Sequence, residues 1–139
     1  MKKQGIALLL ALALLVSLSA CGGRRNAVPP DLTGRWEQEH GEGATYYQIA
    51  VISEDAIRVY WHLTEDDSEY LYWSGSFTDP EASGKAFKWV SENNHAEQRK
   101  SAWARREETM NFTYKDGKLS YTVYMGNLRV GVALERVEE

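Results

Sequence analysis

After residue 32, the dominant spacing between apolar positions is two residues. The runs that show it best begin at Ile57, Leu71, Leu119 and Leu128, where apolar side chains alternate with polar or tyrosine side chains. This alternation is typical of a β-strand that buries one face and turns the other outward. The sequence therefore predicts strands over most of this part of the chain.

Turn-forming residues divide these runs into short segments. The Asp116-Gly117 pair is the strongest hairpin pattern, because these residues readily adopt positive φ, and Gly126-Asn127 predicts a second tight turn. The Ala, Gln, Glu and Arg content of residues 95–106 would suit a short helix as well as a strand, so both conformations remain open there. The spacing predicts eight strands, over residues 34–39, 45–52, 56–63, 69–78, 85–91, 101–113, 118–125 and 128–136.

Consecutive hairpins without a long crossover favour an antiparallel meander. Residues 32–139 are therefore predicted to form one all-β domain. Eight such strands with one apolar face would close into a barrel, which removes exposed strand edges. A two-sheet sandwich is the alternative architecture.

The first 20 residues have the pattern of a signal peptide. Lys2 and Lys3 precede an apolar run over residues 6–18. That run is shorter than the roughly 20 residues of a membrane-spanning helix. We therefore expect a signal helix ahead of the barrel. An uncleaved anchor helix, or an ordinary signal peptide with a free thiol, are the alternatives.

The signal segment ends in Leu18-Ser19-Ala20-Cys21-Gly22, which resembles the bacterial lipobox. The resemblance implies cleavage before Cys21 and a thioether-linked diacylglycerol on its sulfur, and this is the only cysteine of the chain. Two acyl chains give stable anchoring. Residues 21–31 would then tether the domain to the cell membrane at its extracytoplasmic face.

Three segments, residues 32–36, 71–77 and 112–121, resemble a group of small lipoproteins found mostly in Gram-positive bacteria. That group carries no assigned activity, so the resemblance implies no catalytic residues.

The first of these segments contains Gly34-Arg35-Trp36, which also resembles the opening strand of lipocalin-like barrels. The resemblance implies that Gly34 and Trp36 form a barrel-floor motif, in which the chain bends at the glycine and the indole closes the barrel. It also implies that Arg129 or Arg136, from the last strand, covers the indole in a cation–π contact.

Composition and charge narrow the function classes. The chain has 139 residues and a net charge of −4, which argues against nucleic acid as a partner. A single cysteine excludes a disulfide within the chain. The three histidines, His40, His62 and His95, stand far apart and form no metal-binding motif. The sequence therefore predicts no metal, no cofactor and no catalytic residues.

A candidate binding surface lies on the polar side of one predicted hairpin. A turn at residues 64–68 would place Tyr60 opposite Tyr72. It would also place His62 opposite Tyr70. Exposed tyrosines are favoured at contact surfaces for proteins and glycans. The alternative is that these cross-strand pairs only stabilise the sheet.

These observations lead to one hypothesis and two alternatives. The hypothesis is a monomeric, non-enzymatic binding module for an envelope protein, a peptide or a glycan. The first alternative is a lipocalin-like carrier of a small apolar ligand, which an open mouth would favour and an interior filled by Trp36, Trp61, Trp73 and Phe112 would oppose. The second alternative is an inhibitor of an envelope-attacking enzyme such as a lysozyme, which the acidic charge would help to steer.

Overall fold

Nine antiparallel strands follow one another along the chain in the computed structural model, which describes residues 27–138. The sheet order is β4-β3-β2-β1-β9-β8-β7-β6-β5, so hairpin follows hairpin and only β1 and β9 pair across the chain. The elements are β1 (Gly34–Gln38), β2 (Tyr46–Ile52), β3 (Ala56–Leu63), β4 (Ser68–Ser76), β5 (Glu81–Ser83), β6 (Ala86–Glu92), α1 (His95–Gln98), β7 (Thr109–Lys115), β8 (Lys118–Met125) and β9 (Leu128–Arg136).

The sheet curls into a half-barrel with its apolar face inside. Trp36, Trp73 and Phe112 are fully buried there and fill the interior. The two sides of the curl approach each other at one bridge between Gly75 and Asn93. The predicted all-β antiparallel meander is confirmed at this level.

The strand count differs from the eight predicted, because a short extra strand, β5, pairs with β6 at the edge of the sheet. The strand predicted over residues 101–113 was also wrong in its first part, since β7 begins at Thr109. Residues before it lie along the edge of β4. The Arg105 amide donates to the Tyr72 carbonyl (2.9 Å), and the Ser101 hydroxyl donates to the Leu71 carbonyl (2.8 Å).

Both predicted tight turns are present. Asp116 and Gly117 have φ of 52° and 79° and connect the paired residues Lys115 and Lys118. In the segment 95–106, left open between helix and strand, the helix is limited to α1, a single turn capped by the Asn94 side chain.

The end of the sheet that contains Leu32, Trp36 and Arg136 is called the floor end. Leu32 and Trp36 are buried there, and the Trp36 indole N–H donates to the Leu32 carbonyl (3.0 Å). Arg136 lies over the indole, 4.8 Å from the ring centroid, and donates to the Thr33 carbonyl (2.7 Å). Gly34 has φ of 129°, a conformation that favours glycine.

The predicted signal peptide, residues 1–20, and Cys21 lie outside the described residues, as does the tether up to residue 26. Within residues 27–138, no helix has the length and apolar character needed to cross a bilayer.

Candidate functional site

A β-bulge changes the pairing of the hairpin that was predicted to carry the tyrosine surface. Val59 pairs with Trp73, but the next residue, Tyr60, pairs with Leu71. Tyr72 is therefore an extra residue on β4, and both Tyr72 and Trp73 point to the inner face. A bulge of this kind places two residues opposite one and shifts the alternation of the bulged strand.

The predicted pairing of Tyr60 with Tyr72 and of His62 with Tyr70 was therefore wrong. Tyr72 is 3% exposed and contacts Trp61 inside the curl, with ring centroids 6.0 Å apart. Tyr70 pairs with Trp61 and lies on the same inner side. Tyr60 and His62 remain on the outer face, so the four residues do not form one surface.

His62 belongs instead to an outer-face cluster of rings and carboxylates. Its ring packs against the Tyr47 ring, with centroids 4.6 Å apart, and the Tyr47 ring stacks on the His40 ring, with centroids 3.9 Å apart. The His62 Nε2 lies 3.1 Å from an Asp67 carboxylate oxygen, and Nδ1 lies 3.7 Å from Glu69. His62 is 7% exposed, so these side chains cover it and leave little of the ring for a ligand.

The other outer-face residue, Tyr60, lies beside an ion pair that joins the sheet to α1. Arg58 donates to both Glu97 carboxylate oxygens (2.7 and 2.9 Å), and the Ser74 hydroxyl donates to Glu97 as well (2.5 Å). Arg58 and Ser74 lower the pKa of Glu97 to about 2. Burial raises the pKa of Tyr60. These groups hold α1 on the sheet.

Among the described residues, no group of three or more His, Cys, Asp or Glu side chains is placed to hold a metal ion. The barrel-floor residues Gly34 and Trp36 lie at the floor end, where the Trp36 ring also meets the Tyr114 ring edge-on at a centroid distance of 5.9 Å.

An apolar cleft opens at the end of the sheet opposite the floor end, which we call the mouth. Tyr46, Trp61, Leu63, Trp103 and Met125 form its walls, and these residues define the mouth cleft. No polar surface lines it, and its volume is about 200 Å³. Trp103 is 51% exposed, and Tyr46 and Met125 are also exposed. Because it is concave, apolar and open to water, the mouth cleft is the candidate binding site of the domain.

Strand pairing and one loop hold these walls in place. Tyr46 pairs with Leu63 across β2 and β3, and the Trp61 ring meets the Tyr46 ring edge-on at 5.4 Å. Trp103 projects from the loop before β7 and packs on Tyr70, with ring centroids 5.0 Å apart. Both strands and loop are anchored by main-chain hydrogen bonds, so the aromatic walls are held before any ligand arrives.

A second pocket of about 400 Å³ adjoins the mouth cleft and shares Tyr46, Trp61 and Met125 with it. Val123, Val130 and Val132 line its inner side. It exists because the β1–β9 ladder ends at Gln38 and Leu134, so β9 continues without β1 beside it.

A polar layer separates the mouth from the filled interior. Gln48 is completely buried on the inner face and accepts a hydrogen bond from the Tyr121 hydroxyl (2.8 Å). Burial raises the pKa of Tyr121 well above its usual value. The Tyr72 hydroxyl accepts hydrogen bonds from the Tyr124 amide (3.1 Å) and from Arg105 (3.4 Å). Below this layer Trp73 and Phe112 fill the space.

Sequence reasoning placed Trp61 in the interior and did not select the other residues of the mouth cleft. Two features of the sequence point to them. Met125 is a large apolar residue directly beside a tight turn, where polar residues are usual, and Trp103 stands in a segment rich in Lys, Arg and Glu. The position of Trp103 opposite Met125 depends on how residues 99–108 pack, which no local pattern shows.

No family model matches this sequence, and searches among curated proteins and among solved structures find no match.

Proposed function

We propose that the protein is a non-enzymatic binding module, held by lipid on Cys21 at the extracytoplasmic face of a bacterial cell membrane. In this proposal residues 1–20 are a signal helix, and the eight longer strands serve as a small lipocalin-like barrel that presents the mouth cleft. The partner is an envelope protein or peptide that inserts an apolar side chain into the cleft.

The entirely apolar lining of the mouth cleft carries this proposal. A glycan needs hydrogen-bonding groups around the stacked ring, because its hydroxyls would otherwise lose water without replacement. The surface that the five side chains turn toward the cleft is apolar. Its volume of about 200 Å³ is below the range of roughly 300–1,000 Å³ that is usual for small-molecule pockets. One large side chain of a partner suits this space better.

Site-specific photocrosslinking tests the proposal. A benzophenone amino acid at Trp103 in the full-length, membrane-bound protein should crosslink an envelope protein, and Met125→Asp should abolish the product. Val90 is the matched control position, because it is exposed to the same 51% but lies on β6, away from the mouth. Equal crosslinking from residues 103 and 90, or none from residue 103, would contradict the proposal.

The adjoining pocket of about 400 Å³ favours a second candidate, a carrier of a small apolar ligand. A fluorescent fatty acid distinguishes the two functions. Saturable binding of this probe, lost in Val130→Asp but kept in Trp103→Ala, would identify the carrier. Absence of probe binding together with crosslinking from residue 103 would identify the protein-binding module.

A further inference from the structure

Strands β7 and β8 separate from each other beyond their shared turn. Their ladder contains Lys115↔Lys118, Tyr114↔Leu119 and Thr113↔Ser120 and then stops. Both strands continue, β7 back to Thr109 and β8 forward to Met125, each held by its other neighbour. The opening between them is called the β7/β8 split.

Beyond Thr113 and Ser120, the split leaves main-chain groups of β7 and β8 without a partner on the facing strand. In an antiparallel sheet successive residues direct their N–H and C=O groups to alternate sides. The Tyr124 amide points into the split, because it donates to the Tyr72 hydroxyl that enters from inside (3.1 Å). Thr122, two residues earlier, therefore points its main-chain groups the same way. On β7, Thr113 directs its main-chain groups toward β8, and Asn111, two residues earlier, therefore directs its own toward Thr122.

A groove of about 640 Å³ lies over the split on the sheet surface. Thr109, Thr113, Ser120 and Thr122 line the groove, so rows of small hydroxyl side chains flank the exposed main chain. Small polar side chains on both sides leave room for another strand to approach the backbone.

Two arginines border the groove at Tyr124. The Arg105 guanidinium lies 3.9 Å from the Tyr124 ring centroid and is paired with Glu107. Arg129 lies 5.6 Å from the same ring. Within residues 27–138, no carboxylate forms an ion pair with Arg129. The groove therefore carries a positive charge that its own side chains leave unneutralised.

We propose that the β7/β8 split binds an extended peptide, which adds a strand by main-chain hydrogen bonds and places an acidic side chain on Arg129. Strand addition uses this chemistry: free donors and acceptors at strand spacing give affinity, and side-chain contacts give specificity. The inference goes beyond the mouth cleft, because the two sites have different walls and take different groups of a ligand.

The first test uses a fluorescein-labelled hexapeptide, acetyl-Val-Thr-Val-Glu-Val-Thr-amide, with the full-length protein in detergent. Fluorescence anisotropy should show saturable binding, and hydrogen exchange should slow at residues 109–113 and 120–124. A peptide of the same sequence with alternate amides N-methylated should not bind. Equal binding of the methylated peptide, or slowed exchange only elsewhere, would overturn the proposal.

Substitutions at Thr122 separate the main chain from the side chain. Thr122→Pro removes the N–H that faces the split and should weaken peptide binding about tenfold, the value of one good hydrogen bond. Thr122→Val keeps the N–H, so this variant should bind the peptide within about twofold of the original affinity. That change is much smaller than the one expected from losing a hydrogen bond. Equal effects of the two substitutions would contradict a main-chain role.

A charge reversal tests the proposal independently, so that the test remains even if Thr122→Pro does not fold. Arg129→Glu should weaken binding of the Glu peptide and strengthen binding of the same peptide with Lys in place of Glu. No change for either peptide would overturn the charge assignment. Trp103→Ala, in the mouth cleft, should leave binding unchanged, whereas loss of binding would place the peptide there instead and overturn the proposal for the split.

Discussion

At the scale of single residues, Arg136 connects the last strand to the segment before β1. Its guanidinium covers the Trp36 indole at 4.8 Å and donates to the carbonyls of Asp31 and Thr33. One side chain thus closes the floor end and fixes the segment that enters β1. This is the cation–π contact expected from the Gly34-Arg35-Trp36 motif, with Arg136 as the partner and Arg129 at the other end of β9.

We expect Arg136→Ala to lower the free energy of unfolding by about 1–3 kcal/mol, because it removes hydrogen bonds from a charged donor and a cation–π contact. Arg129→Ala, on the same strand, should change it by less than about 0.5 kcal/mol, as is usual for an exposed position. Urea unfolding followed by tryptophan fluorescence measures both. A loss of equal size in the two variants would show that Arg136 does not hold the floor end.

Gly75 is required by packing where the two sides of the curl meet. A Cβ at this position would lie 2.3 Å from the Ser91 hydroxyl oxygen and 2.5 Å from the Glu92 carbonyl oxygen. The same Ser91 oxygen accepts a hydrogen bond from the Trp73 indole (2.9 Å). Any side chain would therefore separate β4 from β6 and break this buried hydrogen bond.

We expect Gly75→Ala to destabilise the domain by about 1–3 kcal/mol, the usual cost of overpacking. Gly131→Ala is the control, because nothing lies within 4 Å of a Cβ there. It should be neutral, or stabilising by about 0.4–1 kcal/mol through the unfolded state. Thermal unfolding compares them, and equal melting temperatures would show that the contact between the two sides is loose.

At the scale of elements, the sequence predicted the positions of the strands better than it predicted which side chains face the interior. The bounds of β3, β8 and β9 agree with the prediction, because their alternation is uninterrupted and tight turns mark their ends. β4 has the same alternation, yet the bulge at Tyr72 places Tyr70 and Tyr72 inside. The bulge puts two large adjacent rings, Tyr72 and Trp73, on the inner face, and the alternation itself does not encode it.

The candidate sites were predictable to a smaller extent. Their walls come from places where regular pairing ends, such as the loss of the β1–β9 ladder after Gln38 and of the β7–β8 ladder after Ser120. A local pattern specifies how a strand alternates but not how far it stays beside its neighbour. Residues 99–108 show the same limit, since hydrogen bonds to the edge of β4 decide their course.

The ion pair that holds α1 on the sheet should make the free energy of unfolding depend on pH. The Glu97 pKa falls from 4.5 to about 2 on folding, so the folded state binds its proton more weakly. Its contribution is complete above pH 4.5 and is lost as the pH falls to about 2. The pair is about one-third exposed, so we expect about 1 kcal/mol.

Glu97→Gln should therefore cost about 1 kcal/mol at pH 7 and little at pH 2, measured by urea unfolding at both values. Glu54→Gln, in the exposed turn after β2, should cost little at either pH. A Glu97→Gln variant whose loss is the same at pH 7 and pH 2 would show that the carboxylate charge does not hold α1 in place.

At the scale of the whole molecule, the chain enters and the mouth opens at opposite ends. Residues 27–33 lead into the floor end, where Arg136 holds them. β9 runs from there to Leu128 at the mouth, and eight steps along a strand span about 26 Å. A lipid on Cys21 would thus be joined to the domain at its floor end, and the mouth cleft lies at the opposite end.

This arrangement depends on processing at Cys21, which intact mass spectrometry of the membrane fraction can test. We expect the wild-type product to begin at Cys21 and to carry diacylglycerol, because the only thiol follows Leu18-Ser19-Ala20. Cys21→Ser removes the nucleophile for lipid and should retain residues 1–20, whereas Ser19→Ala keeps a small residue before the cleavage point and should be processed normally. A wild-type protein that keeps residues 1–20, or that has Cys21 without lipid, would leave the domain without the proposed tether.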